Sequence, residues 1–348
     1  LRTEAEISVP LPSVPDQNRA EKTGAGILKL QDHTGSLKGA APMFKIQEQI
    51  NYLFRYKHPN IFSIFNRLKK DQHLPIEQLR QNQLEKLNAL LNHAYRHVPY
   101  YRRLLEEAGL VHHSRIALTS LRAFEKLPLL TKEIIHHEQG NLYADEHASR
   151  DSYPYTSGGS TGEPTLFIQD RPYREHDIAN FYLLQSWRGV APHESVIKIW
   201  GAARDTYEGN KGVIQHLKDF VHNRIVLNSF KMSETEMRSY LDLMNRHRPR
   251  MVVAYAHAIY ELAEFARKHN IRVEPQNVIH SAAGTLYDFM RNEIESVFQC
   301  KVYNHYGTRE AGSIASECGA FDGLHIMMDH NLVEVLNADG LPCRPGEE

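Results

Sequence analysis

Residues 155–165 read Tyr-Thr-Ser-Gly-Gly-Ser-Thr-Gly-Glu-Pro-Thr, a dense set of groups able to hold an anion. Gly158, Gly159 and Gly162 let backbone approach a ligand closely. Thr156, Ser157, Ser160 and Thr161 add hydroxyls, and successive amide N–H groups add donors for phosphate oxygens. A plain Gly/Ser hairpin loop has the same composition. A Walker loop is excluded, because Gly162 is followed by Glu163-Pro164 where Lys-Ser/Thr is required. Pro164 also blocks an immediate helix, so a phosphate would be held in a strand–loop–strand.

Other residues have chemistry to offer. His93 and His97 stand four apart on one helix face, the spacing metal ligands use. No Glu follows His93 and no third ligand is evident in sequence, so a solvated or hydrogen-bonded pair is expected. His112-His113 and His136-His137 read as surface positions near helix ends. Cys318 with His325 or His330 offers one thiol, too few for a zinc site. Trp200 and Gly201 fall at a strand end, where open α/β sheets place ligand crevices; core packing serves Trp200 equally well. Arg204 and Asp205 suit a surface pair as readily as a substrate contact. Tyr255 closes a strand and His257 opens the following helix, a position for polar contact with a substrate or with water.

These residues need a scaffold. From 43 to 110 the apolar positions Leu79, Leu84, Leu87, Leu90, Leu91 and Ala94 recur at helical spacing. After about 151, short β-type runs alternate with helical ones. Strands are predicted at 152–156, 165–169, 196–200, 224–228, 251–255, 277–281 and 301–304. Helices are predicted at 173–188, 234–246, 257–268 and 286–298, with a Ser233/Glu236 capping box. This alternation predicts an α/β fold with a largely parallel sheet, an N-terminal helical section and a β-rich C-terminal end.

Composition narrows the classes. The 348 residues are 41% hydrophobic and 24% charged with formal net charge −1, ordinary for a globular chain with a core of its own. No basic field recruits nucleic acid or an anionic membrane. Three cysteines build no disulfide framework, and no apolar run approaches the roughly 20 residues a membrane span needs.

Thr-Ser-Gly-Gly-Ser-Thr-Gly-x-Pro at 156–164 resembles the phosphate loop of the adenylate-forming superfamily of acyl-CoA synthetases and adenylation domains. Tyr303-Asn304-His305-Tyr306-Gly307-Thr308-Arg309-Glu310 is similar to that superfamily's Tyr-Gly-x-Thr-Glu motif, and Ser281-Ala-Ala-Gly-Thr-Leu286 to its adenine-packing segment. Leu91-Asn-His-Ala-Tyr-Arg-His-Val-Pro-Tyr-Tyr-Arg102, Leu127-Pro-Leu-Leu-Thr-Lys132, and Glu317-Cys318 followed by Gly323-Leu-His-Ile326 and Asp329-His330 resemble the phenylacetate–CoA ligase-like branch. Trp200-Gly-Ala-Ala-Arg204-Asp205 is closer to its capsule-biosynthesis (CapK-like) subgroup. The resemblance covers 43–348.

It implies joining of a carboxylate to AMP from ATP, then transfer of the acyl group to coenzyme A or another thiol. Glu310 would hold Mg²⁺. Thr156, Ser157, Ser160 and Thr161 would contact phosphates, with Gly158, Gly159 and Gly162 shaping the loop. Tyr306, beside Asn304, His305 and Gly307, would stack on adenine, with Ala283, Gly284 and Thr285 as the other wall. A small carboxylic acid would lie near Trp200, Gly201, Arg204, Tyr255 and His257. Two departures stand out. The frequent loop lysine is Glu163, and the position before Glu310 is Arg309 with the hydroxyl moved to Thr308. Either Thr308 takes the hydroxyl's role or Arg309 contacts the α-phosphate itself.

The expected organisation is a leader at 1–42, with Met43 as a candidate start, followed by one large domain. That domain divides into a helical section (43–150), a nucleotide-binding core (151–312) and the start of a β-rich section (313–348). The chain is expected to stop before a ribose-binding aspartate, a hinge and a lysine-bearing mobile domain, and so to be slow or inactive alone. With no signal peptide or membrane span read in the sequence, a cytoplasmic location is expected. A non-catalytic nucleotide- or acyl-binding homologue, or an acyl-activating step in surface polysaccharide synthesis, are the alternatives.

Overall fold

The computed structural model describes residues 59–157, 165–201, 219, 223–338, 340–344 and 346–347; the expected leader lies outside them. Helices α1 (Pro59–Asp71), α2 (Ile76–His97), α3 (Pro99–Glu107) and α4 (Lys132–Glu138) come first. Pro99 at the first turn of α3 needs no N–H partner there and fixes the break from α2. Leu87, Leu91 and Leu105 bury the shared face of α2 and α3.

Strands β1 (Ser152–Thr156) and β2 (Leu166–Asp170) pair antiparallel as a separate hairpin. Asp170 then caps α5 (Arg171–Trp187), accepting the Tyr173 N–H. Next follow β3 (Val196–Trp200), β4 (Arg224–Asn228), α6 (Glu234–His247), β5 (Met251–Tyr255), α7 (Ala256–Lys268), β6 (Val278–Ala282), α8 (Asp288–Phe298), β7 (Lys301–Thr308), β8 (Gly312–Ser316) and β9 (His325–Ile326). The Ser233/Glu236 capping box forms as predicted at the start of α6.

Among the described residues the larger sheet runs β4-β3-β5-β6-β7-β8-β9, with β3 to β7 parallel and β8 and β9 antiparallel. Ile197, Ile199, Val252, Ala254, Ile279 and Val302 bury one face against α6, α7 and α8. On the other face Met251, Val253, Val278 and Tyr303 pack with Phe181 of α5. The chain steps from β3 outward to β4, then crosses back to β5 on the other side of β3. That reversal is a topological switch point, and a crevice opens at the carboxyl ends of such strands.

One carboxylate gathers several of the contacts that join the helical section to the β-rich end, beside Gln83 Nε2 donating to the Asn331 carbonyl and Leu332 packing on the α2–α3 core. Asp329 accepts hydrogen bonds from Arg67 Nη1 (2.7 Å) and Nη2 (3.0 Å) on α1, from Lys86 on α2, and pairs with His176 Nε2 (2.8 Å) on α5. Burial alone would raise its pKa; hydrogen bonds from His176, Arg67 and Lys86 hold it well below the usual carboxylate range.

Two expectations need correction. The strand predicted at 301–304 continues to Thr308, and 312–316, not anticipated as a strand, folds back on it as β8. Gly312 makes the reversal possible with φ +67°. Its partners lie on α5, far away in sequence, so no local pattern announced it. Smaller shifts place β2 and β6 one residue later than predicted.

Candidate active site

The β7–β8 turn carries Arg309 and Glu310 against the base of the Gly/Ser loop. Arg309 Nη1 donates to the Thr156 carbonyl at 3.3 Å, and Gln169 Nε2 donates to the Arg309 carbonyl at 2.8 Å. The Arg309 guanidinium lies 5.6 Å from the Tyr155 ring centre. The loop is clasped where it leaves the hairpin: the Ser157 N–H donates to the Thr165 carbonyl (2.9 Å), and the Thr165 N–H donates to Ser157 Oγ (2.8 Å). Gly158, Gly159, Ser160, Thr161 and Gly162 lie outside the described residues.

The turn is held from the side by α5. Tyr173 Oη donates to the Glu310 carbonyl (3.1 Å), and Asp177 Oδ1 accepts the Ser313 N–H (3.0 Å). Burial raises the Asp177 pKa, with the Ser313 hydrogen bond opposing it. Thr308 Oγ1 accepts the Ala311 N–H at 3.0 Å and so caps the turn. The Glu310 carboxylate is exposed, with no hydrogen bond or ion pair among the described residues. Gly307 sits at a register shift where a Cβ would lie 2.6 Å from the Gly312 carbonyl oxygen, so no side chain fits.

Across the switch point the other predicted residues gather at strand ends. Trp200 and Tyr255, ending β3 and β5, pack with ring centres 4.2 Å apart. Gly201 follows at φ +127°, a conformation that favours glycine. His257, in the first turn of α7, lies against Gly284 after β6, where a Cβ would be 3.3 Å from its Nδ1. Ala283 adopts φ +55° at that bend, ahead of Thr285. Tyr306 on neighbouring β7 exposes 42% of its surface. Arg204 and Asp205 lie outside the described residues. Asn304 is a bracing point: its N–H donates to Glu317 Oε2 (2.6 Å), and Glu317 also takes Arg291 at 2.7 Å.

His305 is placed differently from its neighbour Tyr306. Alternation along β7 turns it to the α5 side, its ring 4.8 Å from that of His280, with neither ring nitrogen hydrogen-bonded. Burial, helped by Arg188, pushes its pKa down to about 4, so the ring is neutral at pH 7. His280 is likewise held far below the ordinary histidine value by burial, Arg188, His305 and Lys198. Arg188 donates to His280 Nδ1 and to Ser316 Oγ, and burial pushes it down to about 10.

The sequence reading missed this polar row. Lys198, Val253, His280 and Tyr303 are register partners across β3, β5, β6 and β7, directly below the Trp200–Tyr255 pair. The signal was Lys at the centre of the strand Val-Ile-Lys-Ile-Trp, where its face is otherwise apolar. Lys198 Nζ lies 5.0 Å from the Trp200 ring centre, and burial, with Arg224 adding repulsion, pushes it down to about 8. An unfolded lysine keeps its proton to higher pH, so stability should rise with pH between about 8 and 10. Lys198→Met is expected to raise stability at pH 7 by about 2 kcal/mol and to abolish that rise, measured by urea unfolding at several pH values. A loss of stability at pH 7 would mean that the ammonium is well compensated where it lies.

No family model matches the chain. It is 27% identical over 288 residues to a phenylacetate-coenzyme A ligase of Thermus thermophilus, covering 79% of this chain and 61% of that protein. It is 24% identical over 162 residues to protein CapK of Staphylococcus aureus, covering 46% of this chain and 36% of CapK. A solved 2-hydroxyisobutyryl-CoA ligase in complex with 2-HIB-AMP and CoA superposes with TM-score 0.59 at 21% identity, over 77% of this chain and 57% of that one. The chain thus spans about three fifths of the length of these ligases. The chain shares the fold of that solved ligase over the aligned part, a mixed α/β architecture with a mostly parallel sheet and a β-rich end. In sequence the chain is similar to phenylacetate-coenzyme A ligases, at 27% identity to that of Thermus thermophilus and 26% to that of Escherichia coli.

Proposed function

We propose that this chain supplies the nucleotide and acid sites of an AMP-forming acid–CoA ligase. The observation that carries the reading is the packing of the Arg309–Glu310 turn on the hairpin that flanks the Gly/Ser loop, with Arg309 on the Thr156 carbonyl and Gln169 on the Arg309 carbonyl. A carboxylate and a triphosphate repel, so their reaction needs fixed positive charge and donors at the meeting point. Arg309, on the Thr156 carbonyl, would offset the lysine replaced by Glu163. Glu310, a hard oxygen donor beside the loop, suits Mg²⁺, which takes few protein carboxylates and shares phosphate oxygens. When bound, Mg²⁺ would neutralise phosphate charge. Thr156, Ser157, Ser160 and Thr161 would hold phosphates, with Gly158, Gly159 and Gly162 admitting them closely. Thr308, already capping the turn, would fix Glu310 rather than reach the nucleotide.

Tyr306 on β7 and the Ala283–Gly284–Thr285 bend after neighbouring β6 would form the two walls of an adenine site. Trp200, Gly201, Tyr255 and His257 would line the acid's crevice, with Arg204 beside it. Coenzyme A would take the acyl group, and a cytoplasmic location follows from the ATP and CoA consumed.

Binding separates the two halves of the site. A non-hydrolysable acyl-sulfamoyl adenosine should bind the chain, measured by calorimetry, more tightly than AMP or the free acid. Arg309→Ala is expected to weaken it by about tenfold or more, in line with a charge-assisted contact. Equal affinity in wild type and variant would remove Arg309 from the phosphate site.

A further inference from the structure

We propose that His93, His97 and Glu146, with Asp145 beside them, bind one divalent transition-metal ion of the zinc class and tie α2 to the segment leading into β1. The i,i+4 histidines acquire in the fold the third ligand they lacked in sequence. His93 Nδ1 faces Glu146 Oε1 at 3.8 Å, and His97 Nδ1 faces Glu146 Oε2 at 4.0 Å. One ligand atom from each of the three residues lies within 4.8 Å of the others. Asp145 Oδ1 hydrogen-bonds His97 Nδ1 at 2.9 Å and stands outside the three-ligand group, so the ion would displace that bond and take water as its fourth ligand. Metal–ligand bonds of about 2.0–2.1 Å place tetrahedral ligands roughly 3.3 Å apart, so the histidine–glutamate separations must shorten by about 0.5–0.7 Å and the widest separation by up to about 1.5 Å.

The frame around these ligands is already built. Both histidines project from the last turns of a 22-residue helix, with rings 4.8 Å apart. The Asp145 N–H donates to the His97 carbonyl at 2.9 Å, pinning the acidic pair to the helix end. Side-chain exposures of 32% for each histidine and 35% for Glu146 leave a route for the ion and room for water. Arg150 Nε lies 3.5 Å from Glu146 Oε1, but Arg150 also reaches Asp170 at 3.5 Å and keeps that partner if Glu146 turns to a metal.

Two imidazoles with carboxylates suit Zn²⁺, whereas Mg²⁺ takes oxygen donors almost alone. The ion would act as a brace. Ser152 Oγ, at the start of β1, donates to the His147 carbonyl at 2.8 Å, so the clamped segment continues directly into the strand that presents Thr156 and Ser157.

The test uses the full chain stripped of metal with a chelator and titrated with Zn²⁺ against a chromophoric competitor. One equivalent should bind at micromolar affinity or tighter, and Co²⁺ should give the intense visible bands of tetrahedral coordination. His93→Gln, His97→Gln and Glu146→Gln should each weaken binding by about tenfold or more. A variant with both His112→Gln and His113→Gln, exposed elsewhere, should bind as wild type. Zn²⁺ should raise the melting temperature of wild type and leave His97→Gln unchanged, and Mg²⁺ should affect neither. Absence of Zn²⁺ binding to folded protein, or affinity that survives His93→Gln and His97→Gln together, would overturn the proposal.

Discussion

Gly312→Val should be among the most damaging single substitutions in the described part of the chain. At φ +67° a β-branched residue is strained, and its Cβ would strike Asp177 Oδ1 and lie 2.8 Å from Asp177 Cγ and 3.1 Å from Tyr173 Oη. Neither neighbour can withdraw freely. Asp177 holds the Ser313 N–H and Tyr173 holds the Glu310 carbonyl. Strain and overpacking together should cost about 3 kcal/mol or more, read as a melting temperature lower by several degrees. The displaced turn carries Arg309 and Glu310, so ligand affinity should fall with stability. Adding Asp177→Ala removes the clash and one hydrogen bond, and the double variant should be less destabilised than the two single effects summed. Full additivity would show that the two residues do not meet as described.

Glu310→Gln should act in the opposite sense, on activity without stability. The side chain is exposed and unpaired among the described residues, so unfolding free energy should stay within about 0.5 kcal/mol of wild type. If the carboxylate holds Mg²⁺ at the phosphates, adenylation in the full-length gene product should fall by roughly a hundredfold, with a higher Mg²⁺ requirement. Glutamine keeps the shape and removes the charge, so the loss would be electrostatic. Unchanged turnover would remove Glu310 from the site.

The α/β core was largely legible because its signals are local. Val196–Trp200 and Met251–Tyr255 are apolar runs bounded by polar turns, and they form strands at the predicted residues. Ser233 and Glu236 announce α6 by a hydrogen-bond pattern four residues long. What escaped depended on distance in sequence. β8 is built from Gly, Ser, Ile, Ala and Ser, with little β propensity, and takes its place from Asp177 more than a hundred residues earlier. Arg188 closes α5, a position that reads as solvated, yet it is buried against His280 and Ser316. His93 and His97 were visible as a pair, but Glu146 joins them only through the path of the chain after α4.

The same limit governs the site. Tyr306 and Glu310 are proposed through the family motif that 303–310 resembles, which lies on one strand and its turn. Which face each occupies required the pleat, and it separates His305 from Tyr306 although they are adjacent. Lys198 lay in plain view in a short strand; its weight comes from the row it shares with His280 and from its place under Trp200.

The measurement that tests the central claim most directly is ATP–pyrophosphate exchange by the full-length gene product, with Mg²⁺ and a panel of aryl, fatty, hydroxy and sugar acids. The account predicts exchange that depends on one class of acid and is lost in Glu310→Gln. Folded protein that binds ATP yet exchanges with no acid, or exchanges without any, would contradict it.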